Sequence, residues 1–227
     1  MQTSTNLQGW FGGIDIYLFD QLLKGRITPG MKVLDAGCGS GRNLVYFLRS
    51  GYDVFAVDES EEAIAQTRRL AAALAPHLPA ENFRVEVVER MSWEPVNSGQ
   101  QTADSKNPPA NAGRSDTGFD VVLSSAVLHF ARDEQHWQGM VNEMWRVLKG
   151  GGIFFARLAS TVGMEKEVRL IEGRRCHLPD GSDRFLVDEA MLQRVTAELG
   201  GDFIEPIKTT VGERMRAMTT WVVRKGK

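Results

Sequence analysis

A chain of 227 residues with 42% hydrophobic and 25% charged residues has enough apolar material for one well-filled globular core. Its formal net charge of -2 lacks the basic excess that broad nucleic-acid binding needs, so no nucleic-acid partner is expected. The two cysteines, Cys38 and Cys176, stand in no ligand spacing and have no His/Cys cluster beside them, so neither a metal site nor a disulfide is expected.

The first residues, Gln2 to Asn6, carry no basic and apolar leader pattern, and no stretch approaches the length of a membrane span, so a cytoplasmic protein without membrane contact is expected. Met31 to Ala36 is a short apolar run that predicts a strand ending in Gly-rich chain, followed by a helix carrying Leu44, Val45, Phe47 and Leu48 and closed by Gly51. Asp53 to Val57 predicts a second strand. Ser60 then suits a helix N-cap, with Glu61 and Glu62 in the first turn where the helix dipole favours carboxylates. Ile64, Thr67, Ala71 and Leu74 share one face of that helix, which Pro76 and Pro79 end.

Phe83 to Val88 and Phe119 to Ser124 predict the third and fourth strands. Between them, the polar run from Pro95 to Gly118 offers almost nothing to a core and reads as a disordered insertion at about 96–118 within one domain spanning 1–227. Trp137, Met140, Val141, Met144, Trp145 and Leu148 recur at intervals of three and four, an apolar helical stripe stopped by Gly150, Gly151 and Gly152. Ile153 to Leu158 follows as a fifth strand, Asp188 to Leu199 as another helix, and Phe203 to Ile207 with Met218 to Val223 as a closing antiparallel hairpin. Strands alternating with helices predict a mainly parallel sheet covered on both faces, whose ligands bind beyond the strand C-termini.

The run VLDAGCGSGRN at 33–43 places Asp35 near the end of a strand and glycines at 37, 39 and 41, which let backbone turn sharply and approach a nucleotide-like ligand. A dinucleotide fingerprint would put its third glycine at position 42, which is Arg42 here. Asp58 ends the second strand, where a carboxylate can accept from both hydroxyls of a ribose; helix capping is its other possible role, and Ser60 already fills that.

These runs, with AVDES at 56–60, FDVVLSSAVLHF at 119–130 and MWRVLKGGGIFF at 144–155, resemble the class I S-adenosylmethionine-dependent methyltransferases over residues 31–158. GCGSGRN and the ending TTWVVRK are similar to the tellurite-resistance type of small-molecule methyltransferase. The resemblance implies a doubly wound, Rossmann-like α/β fold with a mainly parallel seven-stranded sheet and an antiparallel last strand. It implies S-adenosylmethionine as cofactor and methyl transfer to a small-molecule acceptor. Asp35, Gly37 and Gly39 would line the methionine part, with Arg42 and Asn43 at the adjacent helix start; Asp58 and Glu59 would serve the ribose end. Glu89 would face the adenine amino group and Met91 the adenine ring, unless Met91 is ordinary core. Ser124 and Ser125 would reach the transferred group, and Tyr17, or else Trp10 or Phe11, would cover the cofactor.

Methyl transfer from a sulfonium needs a base only for a protonated acceptor. His129, past the fourth strand, and His177 are the candidates, each also explicable by packing or hydrogen bonding. Arg174, Arg175 and Arg184, near His177, form a candidate anion site for the acceptor, although Glu172, Asp180 and Asp183 intersperse it. Two other readings share the same motifs. An NAD-dependent oxidoreductase would carry a different glycine spacing, and a non-catalytic S-adenosylmethionine-binding module would differ only in lacking product formation.

Overall fold

The structure, a computed structural model, describes residues 6–93 and 118–227. The expected insertion at 96–118 lies, but for Gly118, outside them.

Two short helices, α1 (Leu7–Phe11) and α2 (Ile16–Leu23), precede β1 (Lys32–Ala36), α3 (Val45–Arg49), β2 (Asp53–Asp58), α4 (Glu61–Leu74) and β3 (Phe83–Val85). After the undescribed segment come β4 (Phe119–Ser125), α5 (Glu134–Val147), β5 (Leu148–Ser160), β6 (Arg169–Glu172), β7 (Arg175–His177), β8 (Asp183–Phe185), α6 (Glu189–Glu198), β9 (Gly201–Phe203), β10 (Lys208–Gly212) and β11 (Arg216–Lys225). Seven strands lie side by side in the order β10-β11-β5-β4-β1-β2-β3, and β9 adds to β11. The five from β5 to β3 are parallel, whereas β11 runs antiparallel to β5, giving the Rossmann-like arrangement that the sequence predicts. Strand alternation sends Val33, Val121 and Phe155 to the face covered by α2, α3 and α4, and Leu34, Val122 and Phe154 to the face covered by α5 and α6. On the second face Trp137 stacks on both Trp221 and Phe185, which docks the small antiparallel sheet β6-β7-β8 against α5.

Three predicted boundaries move, each for a local reason. The third strand stops at Val85 rather than Val88, because Glu86 turns to accept from the Ser92 amide and Arg90 closes a turn on the Val87 carbonyl. The helix does end at Val147, as expected, but the fifth strand starts at Leu148 and not at Ile153, ahead of the three glycines. They lie inside β5, where a Cβ on Gly152 would stand 2.9 Å from the Lys149 oxygen, so a bare backbone lets the strand bulge beside Asp120. The predicted strand at 203–207 survives only at its start, where Phe203 pairs antiparallel with Val223 and the Ile204 amide donates to the Val222 carbonyl; Pro206 has no N–H to extend that ladder, and the hairpin forms from β10 and β11.

Between β9 and β10, Glu205 is buried and takes hydrogen bonds from Gln21 (2.9 Å), Lys24 (2.5 Å), Arg26 and Lys208, so the C-terminal hairpin is pinned to α2. Burial alone would raise the Glu205 pKa, but the donors on Lys208, Lys24 and Gln21 outweigh it and hold it at about 2. A depressed carboxylate contributes stability above its unfolded value of 4.5 that is lost as pH falls toward 2. Glu205→Gln is therefore expected to destabilise the protein by about 2 kcal/mol at pH 7 in urea melts. Its deficit relative to the unsubstituted chain should shrink as pH falls below 4.5.

Candidate active site

The parallel register places Asp35 opposite Ala56 and Ala36 opposite Val57, so β1 and β2 end level at the same edge of the sheet. Beyond them the amides of Gly37 and Cys38 both donate to the Val57 carbonyl at 2.9 Å, which closes a tight turn. Gly37 takes φ +80 within that turn, and a Cβ there would lie 2.5 Å from Val127 Cγ2. Gly39 takes φ +53 and aims its amide at Asp58 Oδ2, 2.8 Å away. Asp58 Oδ1 accepts from the Ser60 amide, and Ser60 in turn caps α4 through the Ala63 amide.

A cavity of about 630 Å3 opens over these strand ends, within the size range of small-molecule and cofactor sites. Gly37, Gly39, Arg42, Asn43, Asp58, Glu59, Glu89 and Ser125 line it, all of them residues that the sequence singles out. Arg42 bridges the floor to the far wall by donating to Ser125 Oγ at 3.1 Å. Asn43 Oδ1 accepts from the Asp15 amide at 2.9 Å. Asp15 also pairs with Arg157, and the guanidinium of Arg157 lies over the Tyr17 ring at 4.7 Å.

Asp35 and Ser124 do not line the cavity but lie buried beneath its floor of strand ends, at 1% and 0% exposure. Asp35 Oδ2 and Ser124 Oγ have no hydrogen-bond partner among the described residues. Burial pushes the Asp35 carboxyl up to about 7, opposed by the charge of Arg42 and aided by that of Asp58. Cys38 also lines the cavity, but burial pushes its thiol up and its Sγ donates to the Gly39 carbonyl, so it is no nucleophile.

Several predicted positions lie elsewhere. Met91 is buried in the core on the α5 side, its amide held by Glu143, and it does not line the cavity. Tyr17 bonds Thr210 through its hydroxyl, Phe11 stacks on Tyr46, and Trp10 sits under Arg49, so none of these aromatics covers the cavity. His129 is buried with Nδ1 accepting from the Ala159 amide. Burial, with the charges of Arg184 and Arg216, lowers its pKa to about 4, so it is a poor base near neutrality. His177 pairs with Asp183 on the small sheet, away from the cavity. Arg174 is taken up by Asp188 and Glu134 and Arg175 lies in β7, so the three arginines form no joint anion site; Arg184 alone approaches, 4.7 Å over the ring of Phe130.

The cavity residues that the sequence pattern does not disclose come from the wall after β4 and from α5. Ala126 takes φ +66, a conformation uncommon for residues other than glycine, and is held there by its 2.8 Å bond to the Arg157 carbonyl. Val127, Phe130, His136 and Met140 follow, and Val87 and Val88 also line the cavity. Ala126 and Val127 directly follow the fourth strand's end, whereas His136 and Met140 come from α5 and Val87 and Val88 from the turn after β3, so no single local pattern joins them. Among the described residues no group of three His, Cys, Asp or Glu side chains is placed to hold a metal ion, and no helix is long and apolar enough to cross a membrane.

Comparison with known proteins finds a match to the methyltransferase domain family over residues 34–156. An uncharacterized methyltransferase of Synechocystis is 30% identical over 128 residues, which cover 56% of this chain and 47% of that protein. The chain thus spans about half the length of the curated relative it matches. Among solved structures, the 1,6-didemethyltoxoflavin-N1-methyltransferase of Burkholderia thailandensis is similar with a TM-score of 0.65 and 16% identity, covering 98% of this chain and 82% of that one. The magnesium protoporphyrin IX methyltransferase of Synechocystis has a TM-score of 0.63 and 14% identity, covering 93% of this chain and 77% of that one. At such identities these structures share the fold.

Gly37→Ala is expected to cost about 3 kcal/mol, the sum of left-handed strain and the clash with Val127. Thermal unfolding checks this: adding Val127→Ala should recover the clash portion but leave the backbone strain.

Proposed function

The chain belongs to the methyltransferase domain family, and on that premise we propose that its 227 residues act as one domain that binds S-adenosylmethionine in this cavity and methylates a small molecule. The observation that carries the proposal is Asp58. Its two oxygens hold the Gly39 and Ser60 amides at 2.8 and 3.0 Å, which fixes the carboxylate at the cavity wall while leaving further lone pairs to accept from a pair of ribose hydroxyls.

Asp35 supplies the test of fit. A buried carboxylate oxygen without a partner is costly in a folded protein, and a ligand ammonium is the chemistry that would complete it. Arg42, held by Ser125, offers the opposite charge to a ligand carboxylate, so the floor suits an amino-acid group. Glu89 offers an acceptor for a purine amino group. S-adenosylmethionine would supply a methyl group already activated on a sulfonium. The residues of the chain then have to bind, align and exclude water, and Val127, Val88 and Met140 provide the apolar wall for that.

A small acceptor is favoured by a formal net charge of -2, which carries no basic excess, and by the toxoflavin precursor and porphyrin named in the two solved relatives. We place its approach at the rim where Phe130 is 60% exposed and Arg184 covers its face. The narrower resemblance to the tellurite-resistance type belongs to this proposal too; its ending TTWVVRK lies in β11, next to β5.

Calorimetric titration with S-adenosylmethionine and S-adenosylhomocysteine tests the reading. Asp58→Ala should weaken both by at least roughly 30-fold, while a nicotinamide dinucleotide should not bind the unsubstituted chain. Wild-type protein that binds the nicotinamide cofactor instead would overturn the proposal.

Asp35 adds a pH signature. Because its folded value is about 7, the ligand-free protein holds much of that proton at neutrality, and an ammonium facing the carboxylate expels it. Affinity for S-adenosylhomocysteine should rise with pH up to and through 7 and then level off, with proton release seen in buffers of different ionisation heat; Asp35→Asn should flatten this. A raised carboxyl favours folding below its ordinary value of 3.8 and loses that advantage as pH rises to 7, so ligand-free Asp35→Asn should be the more stable protein at pH 8.

A further inference from the structure

We propose that His136 is a positioning residue that holds Glu89 as an acceptor for a purine amino group, and so sets a preference of the cavity for adenine over hypoxanthine; this rests on the cofactor reading above. The two residues are 47 positions apart, on the turn after β3 and on the first turn of α5, and both line the cavity. Asp133 caps α5 by accepting from the His136 amide at 2.7 Å, which fixes where the imidazole begins. Nδ1 of the ring accepts the Arg132 amide at 3.1 Å, so a neutral ring carries its proton on Nε2. Nε2 stands 3.1 Å from Glu89 Oε1 and donates to it. With both nitrogens engaged, the imidazole is a strut between the Arg132 amide and Glu89.

Glu89 makes no other hydrogen bond among the described residues. The turn that bears it is held by the Arg90 amide on the Val87 carbonyl, so without His136 its side chain would be free to swing into solvent. Holding Oε1 leaves Oε2 to accept. An adenine amino group donates where hypoxanthine presents a carbonyl oxygen, which a carboxylate repels. Val88 and Met140 also line the cavity and offer apolar surface that suits the flat face of a base.

The experiment is calorimetric titration of the full chain with S-adenosylhomocysteine, adenosine and inosine. Unsubstituted protein should bind adenosine at least roughly tenfold tighter than inosine. In His136→Ala that ratio should fall below about threefold, mainly through weaker adenosine binding. His136→Gln, whose amide can still donate to Glu89 and accept from Arg132, should keep most of it. If His136→Ala weakens both nucleosides alike and the ratio stands, the residue only packs and the proposal is overturned. If His136→Ala does not fold, Glu89→Gln decides: its amide can turn an N–H toward a purine oxygen, so the preference should shift toward inosine, and an unchanged ratio overturns the proposal. Unsubstituted protein that binds S-adenosylhomocysteine but does not distinguish the nucleosides sinks this inference alone. Failure to bind S-adenosylhomocysteine sinks the cofactor reading with it.

Discussion

The amide of Gly39 reaches Asp58 Oδ2 across 2.8 Å, and through this bond the turn after β1 and the end of β2 become one rigid edge. Two neighbouring parallel strands leave a crevice beyond their C-termini only if the chain departs from each in a different direction. After β1 it folds back over the Val57 carbonyl, which the left-handed φ of Gly37 permits and which any side chain would block against Val127. After β2 it runs straight into α4 through Ser60. The carboxylate that joins the two is therefore both structural and exposed to the cavity, and the rest of the site is built outward from it.

Two buried carboxylates show how the protein treats charge. Glu205 collects Gln21, Lys24, Arg26 and Lys208, and its pKa falls to about 2 despite its burial. Asp35 has an oxygen with no partner, and burial carries its pKa to about 7. The first is completed by the chain and ties two ends of the fold together. The second lies under the cavity floor within the influence of Arg42 and Asp58, an electrostatic need that packing leaves unmet. A protein optimised for stability alone would have answered Asp35 as it answers Glu205.

The parts of the fold legible in the sequence are those where one strong local rule acts. Period and capping mark α4 and α5, because Ser60 caps the first and a stripe from Trp137 to Trp145 faces the core on the second. The glycines at 37 and 39 are legible because their left-handed backbone leaves few residue types able to fill them, and the acid at 58 because it ends an apolar strand at the ligand edge of the sheet. What resists reading is set by distant contacts. Nothing in Arg169 to Glu172 alternates in hydrophobicity, since all four residues are exposed, so β6 and the small sheet have no pattern. Met91 and Glu89 are two residues apart, and only the turn at 87–90 decides that one enters the core while the other enters the cavity. His129 and His136 look alike as histidines near a helix start. The first faces β5 and is buried neutral, and the second faces the cavity, a difference that the direction of the turn between them decides.

Helix caps around the cavity do more than end helices. Ser60 caps α4 while its own amide fixes Asp58 Oδ1. Asp15 caps α2, and its amide fixes Asn43 while its carboxylate takes Arg157. Asp133 caps α5 and fixes the start of His136. Each cap has one bond that stabilises a helix and another, or an immediate neighbour, that orients a cavity residue, so the local interactions that start these helices also set the site. Strand ends alone would supply an open crevice. The three caps bring the N-termini of α2, α4 and α5 to its edge, and because those termini are fixed by short polar bonds, the cavity wall holds its form without a covering aromatic from the N-terminal segment.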